Sequence, residues 1–192
     1  MNQRSLLSEG LVSCAQNGED RADLPPTFAT ILADPPWDVL QRGGRGAHRH
    51  YPLMTAEQIA ALPVGKLTSV DAHLWLWVTN STLFAGRSVM EAWGFTYRSC
   101  LTWVKPGLGL GSSYLRNNTE HLLFGTKGKA PILYRSQPTW LFAPKQDHSH
   151  KPEEQYAVIE RCSPGPYLEL FARRKRQGWQ VWGNEVTSDV VL

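Results

Sequence analysis

Short apolar runs separated by polar turns recur along this chain, a pattern that indicates buried β-strands. The strongest is HLWLWVT (73–79), which is apolar nearly throughout, as expected of a strand covered on both faces. Further apolar runs predict the other strands: FATILA (28–33), SCLTWV (99–104), HLLFGT (121–126), YLELFA (167–172) and WQVW (179–182).

Three stretches between these strands predict helices. Thr55-Ala56-Glu57-Gln58 has the spacing of a capping box, which opens a short helix. Asn80-Ser81-Thr82 is expected to cap a helix that runs to about Trp93, where Gly94 ends it. A third helix is expected over about 152–162, with a proline at its start. Strands that alternate with helices predict an α/β fold with a mostly parallel sheet and helices on both faces.

Polar segments follow several of the predicted strands directly. They are Asp34–Trp37, Asn80–Thr82 and Arg173–Arg176. The carboxyl ends of parallel strands meet at one edge of a sheet, where ligands of α/β proteins bind. We therefore expect all of these segments to lie at one edge.

The chain has 192 residues, a length that suits one compact domain. Residues 1–26 are polar and end in two prolines, so we expect a loosely ordered lead-in before a single domain over 27–192. The formal net charge of +3 permits a polyanionic partner without requiring one. No apolar run approaches the ~20 residues that cross a bilayer, so no membrane partner is expected.

The three cysteines lie far apart and form no C-x-x-C pair, which argues against a zinc cluster or a disulfide framework. A reducing, cytoplasmic setting fits best. The histidine pairs His48/His50 and His148/His150 lack a helical spacing or a nearby cysteine, so no metal site is expected.

The segment Asp34-Pro35-Pro36-Trp37 contains residue types that suit methylation of a purine amino group. That nitrogen is conjugated with the ring and is a poor nucleophile, so an enzyme must accept hydrogen bonds from both of its N–H groups. A carboxylate beside a backbone carbonyl supplies two acceptors, and proline fixes the backbone without a competing N–H. Trp37 offers a flat face for an extruded base. The alternative is a strand-ending turn in which the tryptophan merely packs.

Eight segments in order carry a resemblance to a known family: ADPPW (33–37), HYPLMTAEQI (50–59), LWLWVTN (74–80), EAWGF (91–95), NTEHLLFGTKG (118–128), HSHKPEE (148–154), IERCSPGPYLELFAR (159–173) and GWQVWGNEV (178–186). The chain resembles the adenine amino-methyltransferases named after the seventy-kilodalton subunit of the eukaryotic mRNA adenosine methyltransferase, in their bacterial or phage type. The resemblance implies a Rossmann-like methyltransferase fold that uses S-adenosylmethionine. The early catalytic segment and late ribose segment resemble the circularly permuted arrangement.

The resemblance also implies roles for individual residues. Asp34 and Pro35 would contact the target amino group, Pro36 would shape the loop, and Trp37 would line the base pocket. The cofactor would contact the following residues: Asp34, Lys151 at its carboxylate, Glu169 at its ribose, Phe171 where related enzymes carry a glycine-rich loop, Arg173, Asn184 and Glu185.

Substrate contacts are implied for Tyr51, Asn118 and Glu120, which match family residues near the base pocket. Asn118 and Glu120 either contact the edges of adenine or belong only to a turn at the start of a strand. Arg42, Arg45 and Arg49 lie on a glycine-rich loop that either closes on phosphates or is simply a solvated basic loop. The last three residues of the basic run Arg173–Arg176 either track a phosphate backbone or solvate the sheet edge.

The predicted function is site-specific transfer of a methyl group to the N6 amino group of adenine in DNA, by a monomer or homodimer. RNA adenine methylation and a non-catalytic nucleic-acid-binding subunit are the alternatives.

Overall fold

A computed structural model describes residues 27–38, 52–107, 114–146 and 150–192. Within these ranges the strands are β1 (Phe28–Ala33), β2 (Thr68–Val78), β3 (Thr96–Val104), β4 (Thr119–Lys127), β5 (Trp140–Phe142), β6 (Tyr167–Leu170) and β7 (Trp179–Trp182). The helices are α1 (Ala56–Ala60), α2 (Leu83–Ala92) and α3 (Glu154–Cys162), with a 3-10 turn at Val64–Lys66. None of the described helices has the length and apolar character needed to cross a membrane. The predicted lead-in over 1–26 lies outside the described residues.

The described strands form one seven-stranded sheet in the order β5-β3-β4-β2-β1-β6-β7. β1 pairs in parallel with both β2 and β6, and β6 pairs in parallel with β7. Only β4 among these strands runs against its neighbours, β2 and β3. The prediction of a mostly parallel sheet is therefore confirmed. The sequence did not predict β5, which has only three residues and pairs with β3 alone.

Side chains alternate between the two faces of the sheet, and each face packs against helices. On β1, Ile31 lies in the core cluster that also contains Ile59 of α1 and Met90 of α2. Its neighbour Leu32 lies in the opposite cluster, with Ile159 of α3. Both clusters bury large apolar side chains, each worth roughly 1.5–3 kcal/mol against exposure. The expected helices on both faces are thus confirmed.

The helix ends follow the predictions in two of three cases. The capping box is confirmed, because Gln58 N donates to Thr55 Oγ1 at 3.3 Å and Thr55 N donates to Gln58 Oε1 at 2.8 Å. Gly94, with φ of +86°, follows α2 as expected. The predicted side-chain cap of α2 is wrong. Thr82 occupies the cap position, but its hydroxyl accepts a hydrogen bond from Thr79 N at 2.9 Å instead.

The predicted polar segments lie at one edge of the sheet. β2, β1 and β6 are adjacent and parallel, so their carboxyl ends lie side by side. Asp34 follows β1, Thr79 follows β2, and Phe171 follows β6. The expectation of a shared edge is confirmed.

Candidate active site

A cavity of about 300 Å³ opens at this edge of the sheet. Its wall includes the whole of Asp34–Trp37, together with Glu120 at the start of β4 and Lys151 before α3. The segments Phe171–Arg173 and Trp182–Glu185 complete it from the ends of β6 and β7. The fold therefore brings together most of the predicted catalytic and cofactor residues from four separate parts of the chain, and adds the predicted substrate residue Glu120.

A second cavity of about 250 Å³ adjoins the first. Asp34, Lys151 and Phe171 line both cavities, so these residues stand at their boundary. Glu169 of β6 and Tyr156 of α3 line only the second. The predicted cofactor residues are thus divided between two adjoining spaces rather than gathered in one.

Four charged side chains of alternating sign form a row, and three of them line the first cavity. Lys105 Nζ donates to Glu120 Oε1 at 2.6 Å, and Lys151 Nζ lies 3.4 Å from Glu120 Oε2. Lys151 Nζ also lies 2.8 Å from each carboxylate oxygen of Asp34. Each interior charge of the row therefore has an opposite charge on both sides, which offsets the cost of removing it from water.

The protonation states in this row follow from burial and charge. Burial, the largest effect, lowers the pKa of Lys151, but the Asp34 and Glu120 carboxylates outweigh it and raise that pKa. Burial raises the pKa of Glu120, but Lys151 and Lys105 outweigh it, and the net pKa is lowered. Burial raises the pKa of Asp34, and Lys151 offsets this only in part. Lys151 therefore stays charged, and of the two carboxylates in the row Asp34 takes up a proton more readily than Glu120.

Two tryptophans lie beneath the two lysines of the row. Lys151 Nζ is 5.4 Å from the ring centroid of Trp77, and Lys105 Nζ is 4.7 Å from that of Trp103. The two indoles meet edge to face at 6.1 Å. Aromatic faces stabilise an ammonium ion where water is scarce. Sequence reasoning missed Lys105 and Trp77 as site residues, although Trp77 lies near the end of β2 and Lys105 directly follows β3, at the predicted edge.

The segment Asp34–Trp37 is held tightly by its own backbone and by residues around it. Trp37 N donates to Pro35 O at 2.9 Å, and Met54 N donates to Pro36 O at 2.8 Å. Trp37 Nε1 donates to Trp77 O at 2.9 Å, and the Trp37 side chain is only 8% exposed. The indole is therefore largely packed into the cavity wall, and base stacking on it stays a prediction.

Glu169 lines the second cavity from β6, the strand next to the edge strand β7. Its strand lies between β1 and β7, with Leu32 and Val181 as its register partners. The hydroxyl of Tyr156 donates to Glu169 Oε2 at 3.0 Å. Burial outweighs the opposing effect of the Tyr156 hydrogen bond, and the net pKa of Glu169 is raised to about 7.

Phe171 adopts a backbone conformation that glycine normally occupies. Its φ of 62° lies in the left-handed region, which a bulky residue rarely enters. Strand β6 ends just before it, at Leu170, earlier than the predicted end at residue 172. The Phe171 ring meets Trp182 edge to face at 5.3 Å. This aromatic pair packs at the turn after β6, the position at which related enzymes are expected from the resemblance to carry a glycine-rich loop.

The basic residues after β6 are paired with acids. Arg173 lines both cavities and lies 3.6 Å from Glu185, which lines the first together with Asn184. The last three members of the run have partners as follows: Arg174 with Glu153, Lys175 with Asp189, and Arg176 with Glu153 and Glu160. Because acids already pair with these basic side chains, the structure favours the interpretation that the run solvates the sheet edge over the interpretation that it tracks a phosphate backbone.

One predicted substrate residue within the described ranges, Asn118, is not brought into either cavity. Asn118 is exposed and lines neither of them, although its carbonyl oxygen accepts a hydrogen bond from Lys105 N at 2.8 Å. Tyr51, Arg42, Arg45 and Arg49 lie outside the described residues, so their predicted roles are untested.

The sheet order and the carboxylate-lined edge define an α/β protein with a Rossmann-like methyltransferase fold. The chain belongs to the MT-A70 family, whose model matches residues 28–185. It is 32% identical over 178 residues to an Arabidopsis thaliana protein described as N(6)-adenosine-methyltransferase MT-A70-like, covering 86% of this chain and 25% of that protein. It is 31% identical over 172 residues to the human N(6)-adenosine-methyltransferase catalytic subunit METTL3, covering 83% of this chain and 28% of that protein.

A mouse relative, the N(6)-adenine-specific methyltransferase METTL4, is 30% identical over 183 residues, covering 83% of this chain and 38% of that protein. The chain therefore spans about a quarter to two-fifths of the length of the relatives it matches.

S-adenosylmethionine is the methyl donor of this family and the cofactor of this chain. The residues present suit it. The buried ammonium of Lys151 is a partner for a carboxylate, and the Asp34 carboxylate is a partner for the positive charges of the donor. The Glu169 carboxylate in the second cavity can accept hydrogen bonds from hydroxyl groups.

Proposed function

We propose that this chain transfers a methyl group from S-adenosylmethionine to the N6 amino group of adenine in DNA. The observation that carries the proposal is the position of Asp34. Its carboxylate stands at the boundary of the two cavities, next to the Pro35 carbonyl and the charged Lys151. The family relatives named above are N6-adenosine or N6-adenine methyltransferases, which supports the same acceptor atom here.

When bound, S-adenosylmethionine would supply an electrophilic methyl group: the N6 lone pair would form the new N–C bond, the electron pair of the broken C–S bond would stay on sulfur, and N6 would release one proton. The Asp34 carboxylate and the Pro35 carbonyl accept hydrogen bonds from the two N–H groups of the amino group. The Pro35 oxygen accepts from Trp37 N and keeps a second lone pair for this purpose. These bonds localise the nitrogen lone pair, so positioning and electrostatics lower the barrier.

Asp34 is also the first acceptor of the released proton in this proposal. Burial raises its pKa, which makes its carboxylate a better base than an exposed aspartate. Lys151 is already protonated and cannot take the proton, so its role is to hold Asp34 and the cofactor carboxylate. The residues proposed to hold the cofactor all line one or both cavities: Asp34, Lys151, Glu169, Phe171, Arg173, Asn184 and Glu185.

Glu120 is the proposed substrate residue of the first cavity. Its carboxylate is anchored by Lys105 and Lys151, so it presents fixed acceptor atoms to a base edge. Because the motif sequences resemble those of bacterial and phage relatives, we propose site-specific action on DNA and a bacterial or phage type. Action as a monomer or homodimer is also proposed. RNA is the competing substrate, since relatives include adenosine methyltransferases.

A methyl-transfer assay with radiolabelled S-adenosylmethionine identifies which nucleic acid is the substrate. The assay offers matched single-stranded DNA, double-stranded DNA and RNA, and the products are digested to nucleosides. We expect label in N6-methyldeoxyadenosine. Label in the RNA nucleoside alone would overturn the DNA assignment. No label in any polymer, with cofactor binding intact, would instead favour a non-catalytic subunit.

A further inference from the structure

The carboxylate of Glu169 is held from one side only. Oε2 accepts the hydrogen bond from the Tyr156 hydroxyl at 3.0 Å. Within the part of the chain that the structure describes, no hydrogen bond reaches the other oxygen, Oε1. Glu169 lines the second cavity, so this oxygen is an acceptor that the cavity offers to a ligand.

Tyr156 is itself fixed by packing. It is 4% exposed, and its ring meets Trp179 edge to face at 5.4 Å and 78°. The guanidinium carbon of Arg176 lies 4.1 Å from the ring centroid. A tyrosine held by two neighbours loses little entropy when its hydroxyl orients another group. The direction of the hydrogen bond to Glu169 is therefore set before any ligand binds.

We propose that Tyr156 is a positioning residue that turns the Glu169 carboxylate toward a ribose hydroxyl of the cofactor. This inference rests on the proposed function, in which Glu169 contacts the ribose. Without the Tyr156 hydroxyl, a buried carboxylate would lose its hydrogen-bond donor and would rotate or take up a proton. A protonated Glu169 offers one acceptor fewer to the diol, so cofactor affinity falls.

Charge around Glu169 determines how this loss depends on pH. Burial raises the pKa of Glu169, the Tyr156 hydrogen bond and Arg176 lower it, Asp34 raises it, and the net pKa is raised to about 7. The other ionisable groups that line the cavity are His150, Lys151, Glu153, Arg173 and Arg174. Removing the Tyr156 hydroxyl raises the pKa of Glu169 further, so the carboxylate protonates at a higher pH.

Calorimetric titration of the full chain with S-adenosylmethionine between pH 6 and 9 tests the inference. The variants are Tyr156→Phe, Glu169→Gln and the double variant. Tyr167→Phe is the matched control, because Tyr167 stacks on the same Trp179 but donates its hydroxyl to the Ser163 carbonyl at 2.9 Å. Affinity ratios to the wild type at each pH cancel the titration of the cofactor's own amino group.

Tyr156→Phe is expected to weaken binding about tenfold near neutral pH, the effect of losing one charge-assisted hydrogen bond. The loss should shrink at higher pH, and Tyr167→Phe should stay within about twofold of the wild type. In the double variant, the tyrosine change should add no further loss to that of Glu169→Gln.

The inference alone is overturned if Glu169→Gln weakens binding while Tyr156→Phe does not, or if the two losses add. If Glu169→Gln binds as tightly as the wild type, the ribose role of Glu169 in the proposed function fails, and the inference fails with it. Thermal unfolding of both tyrosine variants separates loss of binding from loss of folding.

Discussion

Lys151 places its ammonium 2.8 Å from each carboxylate oxygen of Asp34, although the two residues lie 117 positions apart in the sequence. The pair joins the end of β1 to the segment that leads into α3, at the boundary of both cavities. Lys151 therefore offsets the negative charge of Asp34, and in the proposed function its ammonium is also the partner of the cofactor carboxylate.

Replacing Lys151 with methionine keeps the length of the side chain and removes its charge. We expect affinity for S-adenosylmethionine to fall about 30-fold, as the loss of a charge-assisted bond of roughly 2 kcal/mol implies. Calorimetry measures the change. Lys145→Met is the control, since Lys145 is exposed and lines neither cavity. Wild-type affinity in Lys151→Met would remove this lysine from the cofactor site.

Lys105→Met should affect the nucleic acid more than the cofactor. Lys105 pairs with Glu120 at 2.6 Å and helps to lower the pKa of that carboxyl. Without it the pKa of Glu120 rises, so the acidic limb of the pH–rate profile should move to higher pH. We expect a raised KM for the nucleic acid and a change of less than about twofold in cofactor affinity.

Steady-state kinetics across pH check this result, with Lys66→Met as the control because Lys66 is exposed and precedes β2 at the opposite edge of the sheet. If Lys105→Met loses as much cofactor affinity as Lys151→Met, the row of charges acts as one unit.

Gly183 is required where the ends of β6 and β7 approach each other. A Cβ at this position would lie 2.2 Å from the carbonyl oxygen of Ala172, which is backbone and cannot move aside. Gly183→Ala should therefore displace the neighbouring Asn184 and reduce cofactor affinity at least about tenfold. Gly65→Ala is the matched control, because its Cβ would find its nearest neighbour at 3.7 Å. Two variants with equal affinity would contradict this account of the turn.

His73 links folding stability to pH. Its Nε2 lies 3.3 Å from Ala130 O, a carbonyl that can only accept, so Nδ1 accepts from the Ser163 hydroxyl at 2.8 Å. Burial lowers the pKa of His73 below its ordinary 6.5, and the Ala130 carbonyl opposes this only in part. The unfolded chain thus binds the proton more readily than the folded chain.

The stability that neutral His73 provides is complete above about pH 6.5 and is lost as the pH falls below the unfolded pKa. The free energy of unfolding in urea should decrease from pH 7.5 to 5.5, and His73→Gln should show a flatter dependence over the same range. If the free energy of unfolding depends on pH equally in the wild type and in His73→Gln, His73 is not the cause of the pH dependence.

The sequence predicted what depends on local pattern and on strand order. The capping box at Thr55, the six longer strands and the shared edge at Asp34 all follow from periodicity and from the rule for parallel strands. The three-residue strand β5 was missed because so short a run carries no periodicity.

The partners of site residues could not be predicted in the same way. Nothing local indicates that Lys105 reaches Glu120, or that Tyr156 of α3 faces Glu169 of β6. Likewise, the sequence left open whether the basic run after β6 tracks phosphates or solvates the sheet edge, and only the fold shows that acids such as Glu153 lie beside it. Such contacts depend on how the layers pack.

The most direct test of the account is methyl transfer by the wild type and by Asp34→Asn, with N6-methyladenine measured by mass spectrometry of digested product. Asp38→Asn is the control, since Asp38 is a nearby exposed aspartate. The account predicts that Asp34→Asn loses about 100-fold or more of its turnover, while its cofactor affinity is only weakened. Formation of N6-methyladenine at the wild-type rate by Asp34→Asn would contradict it.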